Sequence, residues 1–331
     1  MQYRQLGRSE LKVSTVALGC WAFAGGELWG DHEQAEIDQI VASAMDQGIN
    51  LFDTAEAYGG GTSEQRLAQA LGDRRKDVLI ATKVSPGNAT RASLRKSCEA
   101  SLRRLNTDYI DLYQIHWPVR DAPLADALYE LEQLHREGKI RVSGVSNYGP
   151  LDMEDLMAAG HAESNQLLYN LLARMIEDEV IPRCIEQQVG ILCYSPLAQG
   201  MLTGKWRSVD EVPEVRARTR HFSSSRPGTI HTEDGCEEKT FSALDHIREI
   251  AANFGQPMDT IALAWCLHKP GITSVLAGAR SPEHVIHNAS AADLALSTSI
   301  MSELDAATTP VKEHLAPNLD ILCDAVNTRY R

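Results

Sequence analysis

No apolar run in the 331-residue sequence approaches the roughly 18 residues needed to span a membrane. The start, Met1 to Val13, lacks the charged-then-apolar layout of a secretory signal. Basic residues are in the minority: 32 Lys and Arg stand against 45 Asp and Glu, a formal net charge of −13. That balance argues against nucleic acid and against an anionic membrane surface, both of which attract basic patches. The seven cysteines are odd in number and widely spaced, and no Cys-x-x-Cys occurs. A disulfide framework or a zinc site is therefore not expected, and free thiols in a reducing cytoplasm are. No His-x-His ends a predicted strand and no His-Glu-x-x-His occurs, so no metal is expected and a metal-dependent hydrolase lacks support. No Gly-x-Gly-x-x-Gly follows the first predicted strand, which weakens a dinucleotide-binding open sheet.

What is present is an alternation. With 43% apolar and 23% charged residues, the chain can bury a large core. Short β-branched segments alternate with segments of helical period. Strands are predicted at Val16 to Cys20, Asn50 to Asp53, Val78 to Lys83, Tyr109 to His116, Ile140 to Ser146, Gln166 to Tyr169, Ile191 to Ser195 and Ser274 to Gly278. Helices are predicted from about His32 to Gln47, capped by Asp31 and stopped by Gly48, and over Thr62 to Leu71, Arg91 to Arg104 and Pro123 to Arg136. Eight strand–helix units predict an α/β fold, a closed (β/α)8 TIM barrel, as a single domain over 1–331. Gln2 to Ser14 would be a β-hairpin at the barrel bottom. Roughly forty residues carrying Gly, Pro, Ser and many charges, Leu197 to Lys239, make a long loop after strand seven, at the face where barrel enzymes keep their sites. The 315–331 tail is an appendage of uncertain order.

Asp53, Tyr58, Lys83 and His116 fall at or just past successive strand ends, so one mouth would hold all four. Each has an ordinary reading: a turn cap, a loop aromatic, a solvated strand end, a core histidine. Together they form a proton-transfer system. A phenol titrates near about 10, and a neighbouring ammonium favours the phenolate and lowers that value. The carboxylate would hold the ammonium, and the imidazole would orient a carbonyl oxygen. Trp21, Trp29 and Trp117 would ring the same mouth, as ordinary packing or as a substrate wall.

Local sequences sharpen this. Gly48-Ile-Asn-Leu-Phe-Asp-Thr-Ala-Glu-Ala-Tyr58-Gly, Ile80-Ala-Thr-Lys83 and Asp111-Leu-Tyr-Gln-Ile-His116 resemble motifs of the aldo-keto reductases. So do Gly138-Lys-Ile-Arg-Val-Ser-Gly-Val-Ser-Asn147, Gln166-Leu-Leu-Tyr-Asn170, Tyr194 to Lys205 and Gly278-Ala-Arg-Ser-Pro-Glu. The likeness is to bacterial members related to potassium-channel β subunits and inositol-linked reductases. It implies an NAD(P)H-dependent oxidoreductase acting on a small carbonyl or alcohol, such as an aldehyde, ketone or sugar. Tyr58 would be the general acid, tuned by Asp53 and Lys83, with His116 placing the carbonyl. Ser146, Asn147 and Gln166 would bind the nicotinamide carboxamide and Tyr194 would stack on its ring. Ser195, Leu197, Gln199 and Lys205 would line the pyrophosphate, and Arg216 would clamp the adenosine. Gly278, Ala279, Arg280, His284 and Asn288 would cover the adenine ribose. His284 and His287 depart from the Gln or Arg and the Glu of many relatives. NADPH is expected over NADH, through Arg280 and Arg216, with Arg218 or Arg220 as substitutes. An oligomer is left open. The rival reading is a cofactor-binding regulatory subunit with little turnover.

Overall fold

The computed structural model describes residues 1–331. Two strands, β1 (Tyr3–Gln5) and β2 (Lys12–Ser14), pair antiparallel as the N-terminal hairpin. Eight parallel strands close the barrel: β3 (Val16–Gly19), β4 (Leu51–Asp53), β5 (Leu79–Val84), β6 (Ile110–Ile115), β7 (Ile140–Ser146), β8 (Ser164–Leu168), β9 (Gly190–Tyr194) and β10 (Ile272–Gly278). Chain order is spatial order, and β10 returns to pair with β3. The surrounding helices are α1 (Gln34–Asp46), α2 (Thr62–Leu71), α3 (Arg91–Arg104), α4 (Leu124–Arg136), α5 (Pro150–Ala159), α6 (Val180–Glu186), α7 (Glu237–Phe254), α8 (Met258–His268), α9 (Pro282–Ser290) and α10 (Thr298–Leu315).

The two-residue period of a strand sorts its side chains between two cores. Val16, Leu18, Phe52, Ile80, Tyr113 and Val145 face the helices, in one buried cluster of 79 residues. Ala17, Leu51, Ala81, Leu112, Leu192 and Leu276 face the barrel axis, where Leu6, Leu11 and Val13 of the hairpin segment close the bottom. Fully burying such an aliphatic side chain is worth roughly 1.5–3 kcal/mol. Space on the axis is short: a Cβ on Gly144 would come within 2.3 Å of Ser164 Oγ. Two residues further along, the same inward parity turns polar. Leu51 is followed inward by Asp53, and Ala81 by Lys83, while Leu112 and Gln114 lead to His116. The period that fills the barrel with leucine thus aims these polar side chains into its mouth.

One expectation is overturned, and one point that the sequence left open is closed. Asp31 does not cap α1. Glu33 takes the N-cap position, and its N–H donates to Glu36 Oε2 at 3.0 Å, while Asp31 Oδ1 accepts the Gly26 N–H at 3.1 Å. The Glu36 carboxylate reaches back three residues to satisfy that N–H, which sets the helix start beyond Asp31. The order of the segment beyond α10, left open by the sequence, is that of a docked tail. It packs back over the mouth, where Arg220 of the long loop is buried and donates to the carbonyls of Leu315, Asn318 and Asp320. Arg220 also pairs with Glu233, so it anchors the tail and is not available to a cofactor.

Candidate active site

Asp53 ends β4, Lys83 lies near the end of β5, His116 follows β6 and Tyr58 opens a 3-10 turn after β4. Lys83 is fully buried. Its ammonium donates to Asp53 Oδ2 at 2.7 Å, to the Thr54 carbonyl at 2.8 Å and to the Tyr58 hydroxyl at 3.3 Å. The Gln166 amide donates to the other carboxylate oxygen, Asp53 Oδ1, at 2.7 Å. The Tyr58 and His116 rings meet edge to face at 5.7 Å. Trp21 stacks on Tyr58 at 5.5 Å and touches Trp29 edge-on at 5.3 Å.

The electrostatics follow from burial with one cation. Burial pushes the Tyr58 phenol above its ordinary value, and Lys83 pulls it back only in part. The expected lowering of the phenol therefore does not win: desolvating a phenolate costs more than one neighbouring ammonium returns. The phenol is protonated at neutral pH, the form a proton donor needs. For Lys83, burial alone would lower the value, but Asp53 and Tyr58 outweigh it and hold the group charged. Burial, with Lys83 adding to it, drives His116 down to about 3, so its imidazole is neutral at neutral pH.

A cleft of about 790 Å³ runs from these residues across the mouth. Trp21, Trp29 and Trp117 line the end beside Tyr58 and His116, and every sequence-predicted site residue borders the cleft except Lys83, which lies beneath. Ser146 Oγ donates to the Gln166 carbonyl at 2.9 Å. Asn147 is different from expectation: its amide is fully bonded within the protein. Nδ2 donates to the His116 carbonyl and Ser146 Oγ, and Oδ1 accepts from the Tyr194 and Tyr330 hydroxyls. No donor or acceptor is left over for a carboxamide, so its assigned contact is not ready-made.

Further along the cleft lie Ser195, Leu197, Gln199, Gly278 and Ala279, then Lys205, Arg216, Arg280, His284 and Asn288. Lys205 is lowered by burial and by the charges of Arg216 and Arg280, and Arg216 by burial and Arg280. Three cations gathered on one wall want an anion, which suits the phosphates of a dinucleotide. Arg216 also ties two loops together, donating to the Gln199 carbonyl at 2.6 Å and the Leu28 carbonyl at 2.9 Å. Asn288 donates to the Gly278 carbonyl at 3.2 Å, and His287 sits 2.7 Å from Asp259 Oδ1. The non-glycine residues Asn147, Ser195, Ala198 and Gln199 all have positive φ, between 47° and 62°. Such conformations cost energy and gather at working sites.

Sequence reasoning missed Asn170, His221, Asp259, Ile321, Arg329 and Tyr330, all on the cleft wall. Asn170 lay inside a quoted motif. The tail residues carry no periodic or motif signal and are brought in only by folding back. No group of three or more His, Cys, Asp or Glu side chains is arranged to hold a metal. No helix is long and apolar enough to cross a membrane.

Comparison with known proteins matches this architecture. The chain is 33% identical over 295 residues to the aldo-keto reductase YhdN of Bacillus subtilis, covering 85% of this chain and 86% of that one. It is 32% identical to the NADH-specific methylglyoxal reductase of Escherichia coli (88% and 94%) and 29% identical to a probable voltage-gated potassium channel β subunit of Arabidopsis thaliana (89% and 92%). Among solved structures, an aldo/keto reductase from Klebsiella pneumoniae in complex with NADP and acetate superposes with a TM-score of 0.70 at 32% identity, covering 89% of this chain and 91% of that one. The glycerol dehydrogenase AKR11B4 from Gluconobacter oxydans does so with 0.79 at 30%, covering 96% of each. The model of the aldo/keto reductase family matches residues 15–309, and with the barrel and its mouth in view the chain belongs to that family, as an oxidoreductase of nicotinamide cofactors.

Proposed function

We propose that the protein interconverts a small carbonyl compound and its alcohol, with Tyr58 as the proton donor and acceptor. The observation that carries this is the buried Asp53–Lys83–Tyr58 chain opening beside a neutral His116. When bound, the nicotinamide supplies or takes the hydride; the protein supplies the proton and the geometry. The substrate oxygen sits between the Tyr58 hydroxyl and the His116 ring. Trp21, Trp29 and Trp117 hold the rest of a small aldehyde, ketone or sugar. Ser146 and Gln166 face the carboxamide, and Tyr194 the ring. Ser195, Leu197, Gln199 and Lys205 follow the pyrophosphate, and Arg216, Arg280, His284 and Asn288 the adenosine end. NADPH is preferred over NADH because the Lys205–Arg216–Arg280 cluster favours an extra phosphate. The site of action is the cytoplasm, in keeping with seven free, buried cysteines.

The test is a panel of aldehydes, ketones and polyols, followed by NAD(P)H absorbance in both directions. Turnover of at least one substrate class is expected. Tight cofactor binding without turnover on any of them would favour a regulatory subunit, the role named for the plant channel relative.

A further inference from the structure

Four hydrogen bonds converge on the Asn147 side chain, and one comes from the far end of the chain. Tyr330 Oη donates to Asn147 Oδ1 at 2.7 Å across 183 residues. The same oxygen accepts from Tyr194 Oη at 2.9 Å. The amide nitrogen carries the His116 carbonyl at 3.0 Å and Ser146 Oγ at 3.1 Å. An amide oxygen has two lone pairs and its nitrogen two hydrogens, so all four positions are taken. That pattern sets which way the amide faces: the His116 carbonyl can only accept, so the nitrogen must face it and Oδ1 takes the two hydroxyls.

The residues around Tyr330 are held as firmly. The Tyr330 ring meets Trp117 edge-on at 5.5 Å, and the Arg329 guanidinium lies 3.8 Å over the same indole. Arg329 is fixed in turn by two bonds to the fully buried Asp320, at 2.6 and 2.7 Å. Arg331 docks through its backbone at the start of α5: its N–H donates to Asp152 Oδ2 at 3.0 Å, and its carbonyl accepts the Leu151 N–H at 3.0 Å. Gly149 makes room for that docking, since a Cβ there would stand 2.4 Å from the Arg331 carbonyl oxygen. The tail thus grips Trp117 beside His116 and the Asn147 hub beside Ser146.

We infer that Tyr330 is a positioning residue for the reaction, acting through Asn147 to hold the His116 backbone and the Tyr194 hydroxyl in register on the two sides of the mouth. The inference rests on the proposed carbonyl reduction for its kinetic consequence, but not for its structural one. Asn147 is then a hub that ties four elements, and the docked tail is part of the site's working geometry. Tyr330→Phe removes one hydroxyl and keeps the ring against Trp117. Gly149→Ala keeps Tyr330 and obstructs the docking of Arg331.

Hydrogen exchange of the whole protein reads the coupling without turnover. The His116 amide is bonded to the Val84 carbonyl and the Asn147 amide to the Gln166 carbonyl, each at 2.9 Å, so both report local opening. In each variant, peptides covering these two amides should exchange several-fold faster, while those from α3 and α7 stay as in the wild type. With a turned-over carbonyl, Tyr330→Phe should lower kcat about fivefold, the scale of one lost hydrogen bond. The deuterium isotope effect with 4-deuterated NADPH should rise, because a misplaced carbonyl slows hydride transfer itself. A packing role alone would move the melting temperature and leave the isotope effect where it was. Unchanged exchange at both amides in both variants would overturn the inference. So would an unchanged isotope effect and kcat in Tyr330→Phe. Absence of turnover in the wild type would count against the proposed function, and the exchange result would still decide the coupling.

Discussion

The Lys83 ammonium lies 3.3 Å from the Tyr58 hydroxyl, and the lysine is fully buried. The first consequence concerns the proton. Tyr58→Phe keeps the ring between Trp21 and His116 and removes only the hydroxyl. General acid catalysis is worth about 10²–10⁴ in rate, so reduction should fall by that order while cofactor affinity is nearly unchanged. Steady-state kinetics with a cofactor fluorescence titration checks both. A kcat near that of the wild type would remove Tyr58 from its role.

Lys83→Met tests the tuning. Burial already raises the Tyr58 phenol, and the ammonium opposes that rise. Without the cation the phenol should titrate still higher. Alcohol oxidation needs the phenolate, so its rate climbs as pH rises toward the phenol's value, and the variant's climb should start at higher pH. The variant also leaves Asp53 with only the Gln166 amide, so its melting temperature must be followed alongside. An oxidation profile that does not move would contradict the assignment.

The proposed NADPH preference is tested at Arg280. Removing a charge-assisted bond to a phosphate should cost roughly ten- to a hundredfold in affinity. Arg280→Ala should therefore lower kcat/KM with NADPH by about that factor and with NADH much less. Equal losses with both cofactors, or equal efficiencies in the wild type, would overturn the NADPH preference.

The long loop should respond to cofactor unevenly. Its first part, Leu197 to Arg216, borders the cleft and is tied down by Arg216 on the Leu28 carbonyl. Its later part reaches the cleft at Thr219 and His221 but is already held by Arg220 on the tail. Adding NADP should slow hydrogen exchange in the first part and leave the later part as it was. Equal protection of the first part with and without cofactor would refute this.

Two buried histidines predict acid sensitivity. Burial lowers His116 to about 3 and His221 to about 4, against an ordinary value of about 6.5. Unfolded, both take up protons below about pH 6.5; folded, they do so only some units lower. Their contribution is complete above pH 6.5 and is lost as pH falls toward 4. For His221 it amounts to roughly 3 kcal/mol, at about 1.4 kcal/mol per unit. Urea midpoints measured from about pH 8 to about pH 4.5 should fall less steeply for His221→Gln, whose side chain does not titrate. Parallel curves would exclude the histidine.

The strand–helix rhythm, the hairpin and the four residues at successive strand ends were determined by the sequence itself. Local period decides which side chains share a strand face, and in a barrel the inward face leads to the mouth; that is why Asp53, Lys83 and His116 could be read from spacing. The ends of α2, α3 and β7 agree with that reading to the residue. Tertiary structure decided what depends on distance in the chain. Whether Tyr58 is raised or lowered rests on how deeply burial desolvates it against one ammonium 25 residues away. Whether Asn147 has a bond to spare rests on Tyr330, 183 residues on, in a segment without periodicity. Such contacts are settled by the sum of docking interactions once the chain is folded, and no local pattern encodes them.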